Sequence, residues 1–353
     1  MADQTQRLFV DSPLDKVVSL VGIAFRTKEC DIPLFESLAF EDWERVLVES
    51  FRQTSVGITF RGVMSLPPAV LPPADVLNKW MAAVEKIKQL NKKQLETLSG
   101  LYCCFDRAGI EFLMLKGQRV ASLYDFPELR QCGDIDLYFA THSKAEEAVA
   151  ILRKEPRAIK LRRDGGYKIS WGGTIIDIHP RFPIGISAIC SDLITSEERL
   201  VASALHILSH TSTFGVGLRQ LCDLAMQCRA MMSGKNESGV STLDISEFKC
   251  LLDEYRLGRW WRLLESFMMD YLGIPEVWLP LGGRESCSSA PLMDVISRGG
   301  NFGFHGDSGN FHHSSRGLVG VLRNLLGVFP YAPRRITSHY KGIVLNSLRI
   351  GVN

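Results

Sequence analysis

Two segments decide the fold: Leu113-Met114-Leu115-Lys116-Gly117-Gln118 and, after a short spacer, Arg130-Gln131-Cys132-Gly133-Asp134-Ile135-Asp136-Leu137. The apolar run of Ile110 and Phe112 to Leu115 predicts a short buried strand that stops at Lys116-Gly117. A second strand is expected from Ile135 to Phe139, with Asp134 and Asp136 at its start. Side chains alternate along a strand, so two carboxylates two residues apart share a face. With no Lys or Arg between them they repel each other unless a cation lies there. Magnesium suits such a pair, because it takes oxygen ligands and is held by one or two carboxylates plus substrate phosphates. A backbone turn at Lys116-Gly117 is placed to receive those phosphates.

In isolation, Asp-x-Asp at a strand edge reads as a solvated turn. A third acid changes that reading. Thr174-Ile175-Ile176-Asp177-Ile178-His179 is a further apolar strand with one embedded carboxylate, and a charge in such a strand needs a partner or a metal. Three carboxylates on two adjacent strands would suit a pair of divalent ions that clamp the attacking and leaving oxygens of an in-line displacement.

Lys116-Gly117, Arg130-x-x-x-Asp134-x-Asp136-Leu137 and Asp177-x-His179 resemble the uncharacterised bacterial nucleotidyltransferase family of the DNA polymerase β superfamily. The N-terminal helical region and the helix pair around His206, His210 and residues 218–224 match in style. The resemblance thus spans residues 30 to 350 or so, with specific motifs only in the core. The superfamily's usual loop is Gly-Ser or Gly-Gly; here Lys116 precedes Gly117 and Gln118 follows it, a Lys-Gly form that also resembles the abortive-infection nucleotidyltransferase toxins. The resemblance implies an α+β fold, with a small mixed-sheet nucleotidyltransferase core flanked by N-terminal and C-terminal helical regions. It implies Asp134, Asp136 and Asp177 as catalytic metal ligands, with two Mg²⁺ ions as cofactor and Mn²⁺ as a substitute. Lys116, Gly117, Gln118 and Arg130 would bind the nucleotide. The implied reaction transfers an NMP from an NTP to an acceptor hydroxyl and releases pyrophosphate. A small molecule, sugar, peptide or tRNA all stand open as acceptor. A silent nucleotide- or partner-binding module and a toxin-like tRNA-modifying enzyme are the rival readings.

The 353 residues suffice for a catalytic core with helical extensions, drawn here at 1–108, 109–183 and 184–353. A net charge of +2 gives no global argument for nucleic acid. Nine scattered cysteines without a Cys-x-x-Cys pair read as reduced thiols in a cytoplasmic protein and speak against zinc. The N-terminus lacks a signal-peptide layout, and no apolar run reaches membrane-spanning length.

Helices are expected over 14–24 and 43–51, the latter begun by Asp42 with Val46, Leu47 and Phe51 on its buried side. Pro67-Pro68 and Pro72-Pro73 mark a linker. A long helix then runs from an Asp75 cap to Gly109, burying Leu77, Trp80, Met81, Val84, Ile87 and Leu90. A short helix over 119–124 would place its N-terminus near Lys116-Gly117. Another helix is expected over 142–152, and Tyr167–Trp171 should pair with Thr174–His179 across Gly172-Gly173. Arg130 would contact a phosphate or orient the loop or, alternatively, form a surface salt bridge with Glu128 or Asp125. Helices recur over 200–209, 218–231, 245–255 and 260–271, with Asp223 read as an intrahelical partner of Arg219 and with His206 and His210 packed or against the nucleotide cleft. Residues 233–243 read as a mobile loop and 282–315, with His305, His312 and His313, as weakly periodic. Residues 316–353 hold six Lys/Arg and no acid. This pattern suits a final helix with solvated arginines or, alternatively, a membrane surface, RNA or acidic partner.

Overall fold

The computed structural model describes residues 12–153, 158–162, 165–182, 194–213, 215–234, 242–282, 287–300 and 315–337. Cys190, the three histidines from 305 to 313, most of the 233–243 loop and the tail beyond 337 lie outside them.

Four helices lead the chain: α1 (Pro13–Ala24), α2 (Pro33–Glu36), α3 (Phe40–Arg52) and α4 (Val56–Val63). Asp42 does not begin α3 but closes its first turn, accepting the Ala39 N–H at 3.1 Å. Phe51 is 43% exposed, off the buried side that Val46 and Leu47 share. The proline pairs carry the chain to α5 (Ala74–Asp106), which starts behind Pro73. Asp75 lies in its first turn, where a carboxylate meets the positive end of the helix, rather than at the cap. Gly109, at φ +63°, ends the run, and the Ile110 N–H returns to the Phe105 carbonyl at 3.0 Å.

The buried seam of α5 is Trp80, Val84, Ile87, Asn91, Gln94, Leu98, Leu101 and Phe105, alternating steps of four and three. Met81 and Leu90 fall off that seam and are 51% and 53% exposed, so the apolar stripe expected from sequence was too wide. The first half of the seam packs among the N-terminal helices. The second half packs on the sheet.

The expected strand at 110–115 reduces to one residue pair. Leu113 and Tyr138 exchange both backbone hydrogen bonds, at 2.8 and 3.0 Å, and no ladder continues from them. Between Gly109 and the turn at Gly117 the segment has room for that single contact. α6 (Gln118–Ala121) follows, shorter than expected. Then come β1 (Ile135–Tyr138), α7 (His142–Leu152), β2 (Ala158–Leu161), β3 (Tyr167–Trp171) and β4 (Thr174–His179). The sheet order is β1-β4-β3-β2, with β1 parallel to β4 and the other pairs antiparallel. Gly172 and Gly173 both take positive φ, as a tight two-residue hairpin requires. Sequence patterning missed β2, an edge strand whose residues are mostly exposed.

One sheet face buries Ile135, Leu137, Ile169, Ile176 and Ile178 against α5 and α7. The opposite face carries the charges. The protein is thus a mixed α+β fold with one small four-stranded sheet, among the described residues, flanked by helices.

Beyond the sheet come α8 (Ser196–Thr211), α9 (Leu218–Ser233), α10 (Ile245–Glu254), α11 (Gly258–Leu272), α12 (Ala290–Gly299) and α13 (Ser315–Val328). α12 falls in a stretch read as weakly periodic; Leu292, Met293, Val295 and Ile296 are its buried face. On α13, Val328 is buried while Arg323 faces out, its side chain 64% exposed. The helices before and after the sheet share one apolar core, with Trp43, Trp80, Trp260 and Trp261 fully buried. No helix of the described residues is long and apolar enough to cross a membrane.

Candidate active site

Asp136 and Asp177 are register partners on the parallel neighbours β1 and β4. Asp134, two residues before Asp136, is brought to the same place. One carboxylate oxygen from each of the three lies within 4.8 Å of the others, with Asp136 and Asp177 buried. Two strands bring these acids together because parallel pairing sets residue 136 directly beside residue 177.

The two buried acids differ in their partners. The Lys116 Nζ lies 3.0 Å from Asp136 Oδ2 and the His179 Nε2 2.8 Å from Asp136 Oδ1. The His179 ring also stacks on Tyr138, centroids 4.4 Å apart. Burial pushes the Asp136 carboxyl up, but the His179 hydrogen bond and the Lys116 charge outweigh it and pull the group down to about 2. Asp177 has Arg162 at 3.0 Å and Lys168 at 3.7 Å. Burial and the charge of Asp134 nevertheless push its carboxyl up, beyond what Lys168 and Arg162 offset. Its Oδ1 is buried without a hydrogen-bond partner. A buried carboxylate oxygen that accepts no hydrogen bond, with the Lys168 ammonium 3.7 Å away and two more carboxylates facing it, has the chemistry of a divalent-cation ligand.

Sequence reasoning gave no role to Lys168, Arg162 or His179. Lys168 was legible: the Gly172-Gly173 hairpin pairs Trp171 with Thr174 and therefore Lys168 with Asp177.

The loops that carry Lys116 and Asp134 are both tied to α5. Asn91 donates to the carbonyls of Glu128 and Arg130, each at 2.9 Å. Gln94 donates to the carbonyl of Gly133, the residue before Asp134. Gln118, expected at the phosphates, turns its amide to Gln94 Oε1 at 3.0 Å and Asn91 Oδ1 at 3.3 Å. Asn91 and Gln94 escaped the sequence reading, although two amides inside an apolar seam are a visible signal of a buried polar task.

Gly117 has φ +68° and ψ −131°, a conformation that strains any residue with a Cβ. Crowding is not the reason for a glycine here, since an added Cβ would meet nothing closer than the Asp134 carbonyl at 3.8 Å.

Arg130 does not make the surface salt bridge to Glu128 or Asp125. Its guanidinium is buried and grips Asp223 on α9, Nε to Oδ1 at 2.7 Å and Nη2 to Oδ2 at 2.6 Å. The Tyr124 hydroxyl adds a third hydrogen bond to Oδ1 at 2.7 Å. Asp223 is therefore not an intrahelical partner of Arg219. Arg219 donates instead to the Gln131 carbonyl at 2.7 Å. Long-range packing of α9 on the 124–131 segment overrides the local i, i+4 pairing.

A cavity of about 990 Å³ lies between the acids and α8–α9, lined by Lys116, Asp134 and Asp136 on one side and His206, Arg219 and Gln227 on the other. That size suits a nucleotide-sized ligand. His206 and His210 meet edge to face at 4.4 Å. Burial first and the Lys116 charge second push both imidazoles down, His210 to about 4, so both are neutral at neutral pH.

The model of a family described as "Uncharacterised nucleotidyltransferase" matches residues 40–183. No curated protein and no solved structure matches the chain. The matched segment runs from α3 past β4 and so contains all three acids, both loops and the amides of α5 that hold them. The α8 and α9 wall of the cavity lies outside the matched segment.

Proposed function

We propose that the protein is a magnesium-dependent nucleotidyltransferase that moves an NMP from an NTP to an acceptor hydroxyl and releases pyrophosphate. One observation carries this reading: three convergent carboxylates of which one, Asp177, keeps a buried oxygen without a hydrogen bond. Asp134, Asp136 and Asp177 would hold the divalent ions. When bound, Mg²⁺ or Mn²⁺ would neutralise phosphate charge and favour the alkoxide form of the acceptor.

The chain's own residues do the rest. Lys116, next to Asp136, is placed to hold a phosphate oxygen once that carboxylate has another cation to face. The backbone at Gly117 presents the turn to the ligand, and Asn91, Gln94 and Gln118 keep it in place. Asp177, on β4 beside the ions, would help take the hydroxyl proton. The acceptor oxygen then bonds to the α-phosphorus as the bond to the β-phosphate oxygen breaks, and pyrophosphate leaves.

The test is incubation with each of four α-labelled NTPs and Mg²⁺, with total tRNA, cell extract or the protein itself as acceptor. Wild type should yield labelled product and pyrophosphate, and Asp134→Asn should lose turnover by orders of magnitude at unchanged melting temperature. Equal product from both would remove the carboxylates from the reaction. Nucleotide binding without pyrophosphate release would turn the reading to a silent binding module.

A further inference from the structure

The cavity wall opposite the acids carries a cation that their ion pairs do not use. Arg219, the second residue of α9, lines the same cavity as Lys116 and Asp136. Its hydrogen bond to the Gln131 carbonyl fixes the direction of the guanidinium. Its Nε is buried and has no hydrogen-bond partner. Asp223, the carboxylate one helical turn further along, is taken by Arg130 and Tyr124. A charged donor left unmet inside a protein is costly, and folds retain such a group where a ligand completes it.

The surroundings are those of an anion site. Lys116 and Arg219 each act on His210 and on His206, and burial keeps both imidazoles neutral. Two fixed cations thus flank neutral rings, in a space with apolar walls at Val120, Leu205 and Leu208. A guanidinium in a partly desolvated pocket recognises phosphate more strongly than the same group in water.

We propose that Arg219 and Lys116 form an anion subsite across the cavity from each other, and that it takes the polyphosphate end of the nucleotide, with a phosphate oxygen accepting from Arg219 Nε. The assignment rests on the nucleotidyltransferase reading for the identity of the ligand. It rests on the cavity alone for the anion. Arg219 lies outside the family-matched segment, so the helical region would supply a substrate contact of its own.

The test measures binding of an NTP analogue with a non-cleavable α–β bridge, of the matching NMP and of inorganic tripolyphosphate. It compares wild type, Arg219→Gln and Arg219→Lys, each with its melting temperature. Wild type should prefer the triphosphate to the NMP. Arg219→Gln should lose about tenfold or more for the triphosphate and tripolyphosphate while NMP affinity stays within about twofold. Arg219→Lys keeps the charge but not the Nε donor and should lose less, again on the polyphosphates alone. If the Gln variant fails to fold, the Lys variant carries the same comparison. Equal losses for all ligands, or none, overturn the subsite. If wild type binds tripolyphosphate through Arg219 but no nucleotide, the anion subsite stands and the nucleotidyltransferase reading falls. Absence of any polyphosphate binding overturns the proposal outright.

Discussion

Arg130 and Asp223 offer a direct measure of how the sheet region is fastened to the helices. Their side chains are 3% and 13% exposed, and two hydrogen bonds of 2.7 and 2.6 Å join them, with a third from Tyr124 at 2.7 Å. Burial by itself disfavours the Arg130 charge, but Asp223 outweighs it and holds the guanidinium above its ordinary pKa. At that exposure, solvent screens the pair little. Removing one member leaves the other buried and uncompensated, which costs about 3–5 kcal/mol, whereas replacing both with apolar residues of similar volume is close to neutral. Asp223→Leu and Arg130→Met should each lose about that much, and the double variant much less than their sum. The coupling energy from a double-mutant cycle in urea should therefore reach about 2 kcal/mol or more. In melting temperature, each single change should cost roughly 4–7 °C for a chain of this length. Single losses that add to within about 0.5 kcal/mol would refute the claim that these charges depend on each other.

Three further outcomes follow from the same geometry. Asn91→Ala or Gln94→Ala should cost about 1–3 kcal/mol for the carbonyls left unmet and should lower turnover more than nucleotide affinity; unchanged turnover in transfer assays would free the 128–134 loop from α5. Gly117→Ala should cost about 1–3 kcal/mol in urea unfolding because its φ is +68°, and a cost below about 0.5 kcal/mol would contradict the backbone assigned there. Asp136 titrates at about 2 instead of the ordinary 3.8, which contributes roughly 2 kcal/mol to stability at neutral pH. Its pKa is depressed on folding, so this contribution is full above about pH 4 and is lost as pH falls toward 2. Asp177 works with the opposite sign, since its raised pKa makes the charged form a penalty that grows with rising pH. The stability gap between wild type and Asp136→Asn should accordingly close below pH 4, and a gap constant with pH would detach it from this carboxylate.

The sequence alone determined the chemistry-bearing residues that are local. Asp134 and Asp136 share a face because strand side chains alternate, and Gly172-Gly173 dictates a hairpin because only glycine takes those backbone angles freely. Helix positions were legible for the same reason: a period of three to four apolar residues is a property of neighbours in the chain. Side-chain partners were not. That Asp177 stands beside Asp136 depends on parallel pairing across forty residues, and parallel strands leave no turn in the sequence from which to count register. The Asp223 partner of Arg130 was not legible because it lies on α9, ninety-three residues away. Gln118 looked like part of the phosphate loop, yet two amides on α5 claim it, and no local rule pairs residues that far apart. The cavity itself belongs to neither region alone, its lining drawn both from the acid-bearing strand and loops and from α8 and α9. Local periodicity and turn chemistry name the acids and set Lys168 beside Asp177; long-range packing decides which other cations face them and which are left for a ligand.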